Sequence, residues 1–243
     1  MSRDYTYAQH FLSSQRLVAE LVGHSNIRKN DIVYDLGAGS GIISSVLAQR
    51  CKQVIAVEIE PVALKKLRYN MQEFDNVTIL DKDMEQLAVT EKSYKIFANI
   101  PFNISAAVVR KFTESDNPPK TMYLIVQRQF ARKLVPGNDH FTSQLAAQIG
   151  PWFTARIRKP LRKTDFTPPP NVDTVLLEIK LREEPLLPSD VAGKYREFIE
   201  RCFSEQKYFT GLNRGKAHIS PEKTPSQLGQ DEWLRLFATL GER

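Results

Sequence analysis

Two cysteines in 243 residues, Cys51 and Cys202, are too few and too far apart for a disulfide framework or a thiolate metal site. The sequence therefore predicts a reducing compartment and no metal. No apolar run approaches the ~18 residues that a membrane span needs. The first residues show no secretory-signal pattern. Internal repeats and low-complexity tracts are also missing. Together these absences exclude a disulfide-stapled secreted module, a thiolate-held metal site, a helical membrane protein and a repeat array. The expected location is the cytoplasm, and the expected state a monomer.

What remains is an ordinary globular composition with a basic tilt. Hydrophobic residues make up 42% and charged residues 26%, enough for a sizeable core. Lys and Arg number 34 against 28 Asp and Glu, giving +6 and a pI near 9.2. That balance suits nucleic acid or another polyanion. A proline-punctuated stretch over 183–188 reads as a linker. It predicts a larger domain over 1–182 and a small helical, RNA-binding domain over 183–243. The latter holds an apolar face of Trp233, Leu234, Leu236 and Phe237, and a basic connection with Lys207, Arg214, Lys216 and His218.

The first domain alternates strands with helices. Buried strands are expected over 32–36, 54–58, 77–80, 94–98 and 121–126, then 152–157 and 175–181. Intervening helices are expected over 15–22, capped by Ser13 or Ser14, and over 42–49, 61–72, 106–112, 127–134 and 142–149. This order predicts an α/β fold with a mostly parallel, Rossmann-like sheet.

Chemistry-bearing residues gather at the strand ends. Gly37-Ala38-Gly39-Ser40-Gly41 follows the first strand and opens a helix, the context that a nucleotide-binding loop requires. Glu58 ends the second strand, where a carboxylate can take both hydroxyls of a ribose. Asp83 follows the third strand and can accept from an adenine amino group, with Asp81 as a rival and Met84 or Ile59 packing on the ring. The fourth strand ends at Asn99-Ile100-Pro101-Phe102-Asn103-Ile104-Ser105. Pro101 cannot donate to a ladder, so the strand stops there. Ile100, before a proline, is held extended, and Ser105 reads as a helix N-cap. Asn99 Oδ1 and the Ile100 carbonyl can accept both protons of an exocyclic adenine amine, while Phe102 stacks on the base. Ligands in such sheets bind beyond the carboxyl ends of strands, so all four features converge on one crevice.

These motifs resemble those of the ribosomal RNA adenine N6-dimethyltransferases, which include the Erm antibiotic-resistance methyltransferases and the small-subunit adenine dimethylases. The resemblance rests on Gln9-His10-Phe11-Leu12, Asp35 through Gly41, Val57-Glu58-Ile59-Glu60, Asp83-Met84 and Asn99 through Ser105. It extends to Gln127-Arg128-Gln129-Phe130-Ala131 and to Phe166-Thr167-Pro168-Pro169-Pro170-Asn171-Val172-Asp173. It is good from residue 9 to about 181 and thin beyond. It implies a class I methyltransferase fold with S-adenosylmethionine as donor and S-adenosylhomocysteine as product. Gly37, Gly39, Glu58, Ile59, Asp83, Met84 and Asn99 would line the donor site, with Gln9, His10 and Leu12 closing over it. Methyl transfer would go to adenine N6, with Asn99, Ile100, Pro101 and Phe102 at the reacting amine. Many relatives carry tyrosine where this chain has Phe102, so stacking survives and a hydroxyl contact is lost.

Arg110, Lys111, Arg128, Arg132, Lys133, Arg158, Arg162 and Lys163 are the expected RNA contacts. Phe166 is either a wall of the substrate pocket or a core aromatic. The compact C-terminal segment, the length and Gln127 through Ala131 favour the Erm branch, hence 23S rRNA and resistance to macrolides, lincosamides and streptogramin B. The segments at Gln9 and Phe166 also fit the small-subunit branch, which acts on two adjacent adenines. A DNA adenine methyltransferase would share the crevice but have an acid at Asn99. A non-catalytic RNA-binding relative would have little need for every donor and acceptor named.

Overall fold

The computed structural model describes residues 10–135 and 142–240. Gln9 therefore lies outside the described residues. The chain opens with a two-residue strand, β1 (Phe11–Leu12), and helix α1 (Gln15–Gly23), capped by the Ser14 hydroxyl, which accepts from Leu17 N–H at 3.1 Å. Strands β2 (Ile32–Leu36), β3 (Gln53–Glu58) and β4 (Val77–Asp81) follow, separated by α2 (Ile42–Ala48) and α3 (Pro61–Asn70). Pro61 starts α3 because the first turn has no use for its missing N–H, and the Glu60 carboxylate caps Val62 and Ala63. Then come β5 (Lys95–Asn99), a single 3₁₀ turn over Phe102–Ile104, α4 (Ser105–Thr113), β6 (Thr121–Gln127) and α5 (Arg128–Leu134). The order continues with α6 (Gln144–Ile149), β7 (Phe153–Leu161), β8 (Phe166–Thr167) and β9 (Thr174–Leu181). Helices α7 (Ala192–Ser204), α8 (Gln206–Gly211) and α9 (Gln230–Ala238) complete the chain.

Seven strands form one sheet in the order β4-β3-β2-β5-β6-β9-β7. The pairs from β4 to β6 are parallel, and β9 runs antiparallel to β6. The mostly parallel, Rossmann-like sheet expected from the sequence is present. Chain order reverses between β2 and β5, which makes their carboxyl ends the switch point where such sheets bind ligands. β7 runs on to Leu161 where the sequence predicted a stop near 157. Pro160 is tolerated because β7 is an edge strand. The sheet is buried under α1 and α2 through Val18, Leu21, Ile43 and Leu47, which pack with Val33, Phe97, Tyr123 and Leu176.

Ser105 is not an N-cap. It has helical backbone angles (φ −53°, ψ −43°) and is already the first residue of α4, because the 3₁₀ turn after Pro101 carries the chain into the helix.

The chain divides into two compact units, 1–131 with 156–180, and 132–155 with 181–243. The expected boundary at 182/183 lies two residues from the last of the three junctions, at 180/181, but the smaller unit also takes 132–155. Trp152 explains the assignment. Its ring packs edge-on against Tyr195 at 5.8 Å, while Gln148 Nε2 donates to the Arg196 carbonyl. Tyr195, Phe198, Phe209, Trp233 and Phe237 build the aromatic core of that unit, with Trp233 fully buried. Each such ring pair is worth ~0.5–1.5 kcal/mol beyond its burial.

Candidate functional site

The loop after β2 holds three glycines in the left-handed region, Gly37 (φ 68°), Gly39 (φ 58°) and Gly41 (φ 93°). Side chains would be strained there, and the chain uses the space they vacate. Phe11 covers Gly39, with its ring about half exposed, and Met84 reaches Gly37. The Glu58 carboxylate organises the loop. Its Oε2 accepts from Gly39 N–H at 2.7 Å, and its Oε1 accepts from Ile59 and Glu60 N–H at 2.9 and 2.8 Å. Glu58 sits at the end of β3, buried, with the exposed Ile59 side chain beside it.

Asp81 and Asp83 are separated by their surroundings. Asp81 is the last residue of β4, exposed and 3.8 Å from Arg68. Asp83 lies beyond the strand, half-buried, with Oδ1 accepting from Glu85 N–H at 2.8 Å. Asp83 is the better ligand group of the two.

Asn99 ends β5, and its Nδ2 donates to the His10 carbonyl at 2.7 Å. A carbonyl only accepts, so this contact fixes which edge of the amide is nitrogen and leaves Oδ1 as the edge that receives donors. Ile100 is buried and Pro101 extended (φ −56°, ψ 133°). Phe102 follows, half-buried, with the His10 ring stacked on it at 5.6 Å and 30°. His10 Nδ1 lies 2.8 Å from the Pro168 carbonyl and so carries the proton. Sequence reasoning grouped His10 with the cofactor residues. The structure gives it contacts to Asn99, Phe102 and Pro168.

The short β1–β8 pairing brings these segments together, aligning Phe11 with Thr167 and Leu12 with Phe166. Leu12 and Phe166 are both buried in the main core. The open choice for Phe166 is thereby resolved: it is a core aromatic without a free face for a base, which corrects its placement among the RNA contacts.

The basic residues divide similarly. Arg158 is tied into the fold: its Nε donates to the His24 carbonyl at 2.9 Å and it lies 3.9 Å from the buried Glu178, which Arg156 also pairs at 2.5 Å. These contacts hold the side chain and set it apart from the more exposed Arg162. Arg162 is exposed beside Asp165, and Lys163 donates to the Asn171 carbonyl while facing solvent. Arg110 pairs with Glu114 along α4, Lys111 lies over the Phe112 ring, and Arg128 sits 3.9 Å from Asp173. Arg132 and Lys133 are exposed at the end of α5, in the second unit.

Asp35 was passed over as a site residue. It is fully buried in β2, with Ser44 Oγ donating to its Oδ2 at 2.6 Å, and its Oδ1 has no partner among the described residues. Burial pushes its carboxyl up to about 7; the Ser44 hydrogen bond opposes the rise and the Glu58 charge adds to it. The signal was available as an acid inside an otherwise apolar strand.

The residues present fit S-adenosylmethionine. Glu58 and Asp83 offer acceptors beside the glycine loop, Ile59 and Met84 offer apolar surface, and one oxygen of the buried Asp35 has no partner among the described residues. Among the described residues no helix is long and apolar enough to cross a membrane. No group of three or more His, Cys, Asp or Glu there is arranged to hold a metal.

Comparison with known proteins gives the family. The ribosomal RNA adenine dimethylase family matches residues 2–214. An rRNA adenine N-6-methyltransferase from Limosilactobacillus reuteri is 28% identical, over 84% of this chain and 85% of that protein. Ribosomal RNA small subunit methyltransferase A from Bacillus licheniformis is 25% identical, over 82% of this chain and 72% of that protein. The crystal structure of 23S rRNA methyltransferase ErmE superposes with a TM-score of 0.81 at 24% identity, over 95% of this chain and 99% of that one, and so shares the fold. The chain belongs to the ribosomal RNA adenine dimethylase family, and it is an S-adenosylmethionine-dependent rRNA adenine N6-methyltransferase.

Proposed function

We propose that the protein methylates N6 of a specific adenine in 23S rRNA and thereby confers resistance to macrolides, lincosamides and streptogramin B. The observation that carries the chemistry is the Asn99 amide locked by the His10 carbonyl, which aims Oδ1 at a donor. The amine of adenine is such a donor, with its lone pair delocalised into the ring. Asn99 Oδ1 accepts one N–H and the Ile100 carbonyl the other, which localises the lone pair on nitrogen as the new bond forms. Phe102, held by His10, stacks on the base. Gly37, Gly39, Glu58, Ile59, Asp83 and Met84 hold the donor, which supplies an electrophilic methyl group. No side chain of the chain acts as nucleophile.

The 23S target is supported by the resemblance of Gln127-Arg128-Gln129-Phe130-Ala131 to the Erm branch. RNA contact falls mainly to the first domain. Residues 183–243 carry nine Lys and Arg against ten Asp and Glu, so the basic excess lies before them. Arg110, Lys111, Arg128, Arg162 and Lys163 are the proposed cations, with Arg132 and Lys133 adding to them. The second reading is a small-subunit dimethyltransferase, favoured by the segments at His10 and Phe166 and by the Bacillus licheniformis relative. Incubation with labelled donor and either deproteinised 23S RNA or immature small subunits, followed by mapping of the label, decides. One labelled 23S adenine is expected. Two adjacent adenines in the small-subunit RNA would replace this reading with the second.

A further inference from the structure

A fully buried carboxylate with one oxygen unpaired is expensive, and a neutral amide would accept the Ser44 hydroxyl equally well. The hydroxyl and the backbone N–H of Ser44 favour the charged form of Asp35, but no cationic side chain faces it among the groups that act on it. Its neighbours across the β2–β3 ladder are apolar, with Asp35 opposite Ala56. The glycine loop begins two residues later, and Ser44 stands in the first turn of the helix that the loop opens. The donor and its product share an adenosine, an amino group and a carboxylate. They differ in the sulfonium charge, which is lost with the methyl group.

We propose that Asp35 is the counter-charge by which the site prefers the cationic donor, S-adenosylmethionine, to its neutral product. It acts through the field of a buried charge, without contact, because the low-dielectric interior screens it weakly. It is thus a selectivity residue and not a catalytic one. Two groups act on it, Ser44 from α2 and Glu58 from the end of β3. The Glu58 carboxylate is itself offset by the three backbone N–H groups that it accepts. With the Asp35 carboxyl raised to about 7 by burial, a bound cation draws a proton from it to the buffer. The neutral product draws less.

Titration calorimetry of the purified protein with each ligand tests this, between about pH 5.5 and 8.5 and in two buffers of different ionisation enthalpy. Affinity for S-adenosylmethionine is expected to rise through pH 7, about tenfold for each unit by which the bound cation lowers the Asp35 pKa. The S-adenosylhomocysteine curve is expected to be flatter, with fewer protons released. Asp35→Asn keeps the shape and the Ser44 bond; it should flatten the first curve and cut the preference for donor over product by about tenfold. Ser44→Ala removes a bond to the charged form and should move the midpoint of the donor curve to higher pH. Parallel curves for the two ligands, or an unchanged preference in Asp35→Asn, would overturn the proposal. Should Asp35→Asn fail to fold, an unmoved midpoint in Ser44→Ala would do so. Absence of donor binding in the unmodified protein would instead strike at the cofactor assignment.

Discussion

Gly41 offers a test of how the loop is built. It is the N-cap of α2, at φ 93° and ψ 18°. A Cβ placed there lies 2.8 Å from Leu67 Cδ1 and 2.9 Å from Met71 Cε. Alanine therefore meets two penalties. The left-handed backbone costs an L-residue ~1–2 kcal/mol. Overpacking costs ~1–3 kcal/mol, and the low end applies because both obstructing atoms are the far ends of flexible side chains. Their sum exceeds the ~0.4–1 kcal/mol that alanine gains by stiffening the unfolded chain. Gly41→Ala should thus destabilise the first unit by about 2 kcal/mol. Urea unfolding followed by far-UV circular dichroism measures it. Tryptophan fluorescence serves as an internal control, because Trp152 and Trp233 both belong to the second unit. Repeating the substitution in a Leu67→Ala background relieves the closer contact, and the cost should drop towards the backbone term alone. A change under about 0.5 kcal/mol in the dichroism transition, or an equal cost in both backgrounds, would refute the reasoning.

Two further substitutions probe the reacting end and the RNA face. Asn99→Asp sets a carboxylate oxygen against the His10 carbonyl, and we expect at least a hundredfold loss of methyl transfer; retained turnover in a single-turnover assay would remove Asn99 from the chemistry. Reversing the exposed Arg162 and Lys163 should weaken RNA binding and lower its log–log salt slope by about 1 to 2, whereas Arg158→Glu should cost ~0.5–3 kcal/mol of stability, because the bond to the His24 carbonyl is lost and a second carboxylate faces Glu178, which keeps Arg156. Filter binding at several salt concentrations and thermal melting separate the two outcomes, and a stable Arg158→Glu protein with impaired RNA binding would reverse that assignment.

The strands of the first domain were readable because parallel strands buried on both faces leave continuous apolar runs, as in Ile32–Leu36 and Gln53–Glu58. Their ends carried the site, so Gly37, Glu58, Asp83 and Asn99 emerged together. The missed features depend on what is brought close in space. A serine before an amphipathic run signals a cap, but the 3₁₀ turn after Pro101 had already supplied the helical entry at Ser105. Arg158 belonged by sequence to a basic cluster, yet its strand turns it towards His24 and Glu178. Phe166 had no local sign of burial; its partner Leu12 lies far back in the chain. The attachment of 132–155 to the second unit was equally invisible, since Trp152 meets Tyr195 only in the folded chain.

The joining of β1 to β8 sets an order of events during synthesis. His10 orients the Asn99 amide across 89 positions, and it is itself anchored to Pro168 across 158. When Asn99 leaves the ribosome the strand that presents it can already pair with β2, but the segment that fixes its amide has nothing to dock on. That dock arrives only with Phe166–Thr167. The glycine loop can take shape on a partial chain, whereas the reacting end waits until more than two thirds of the protein has been made. A nascent chain shorter than about 168 residues should therefore hold the fold's first half without the ability to act on the ribosome that is producing it.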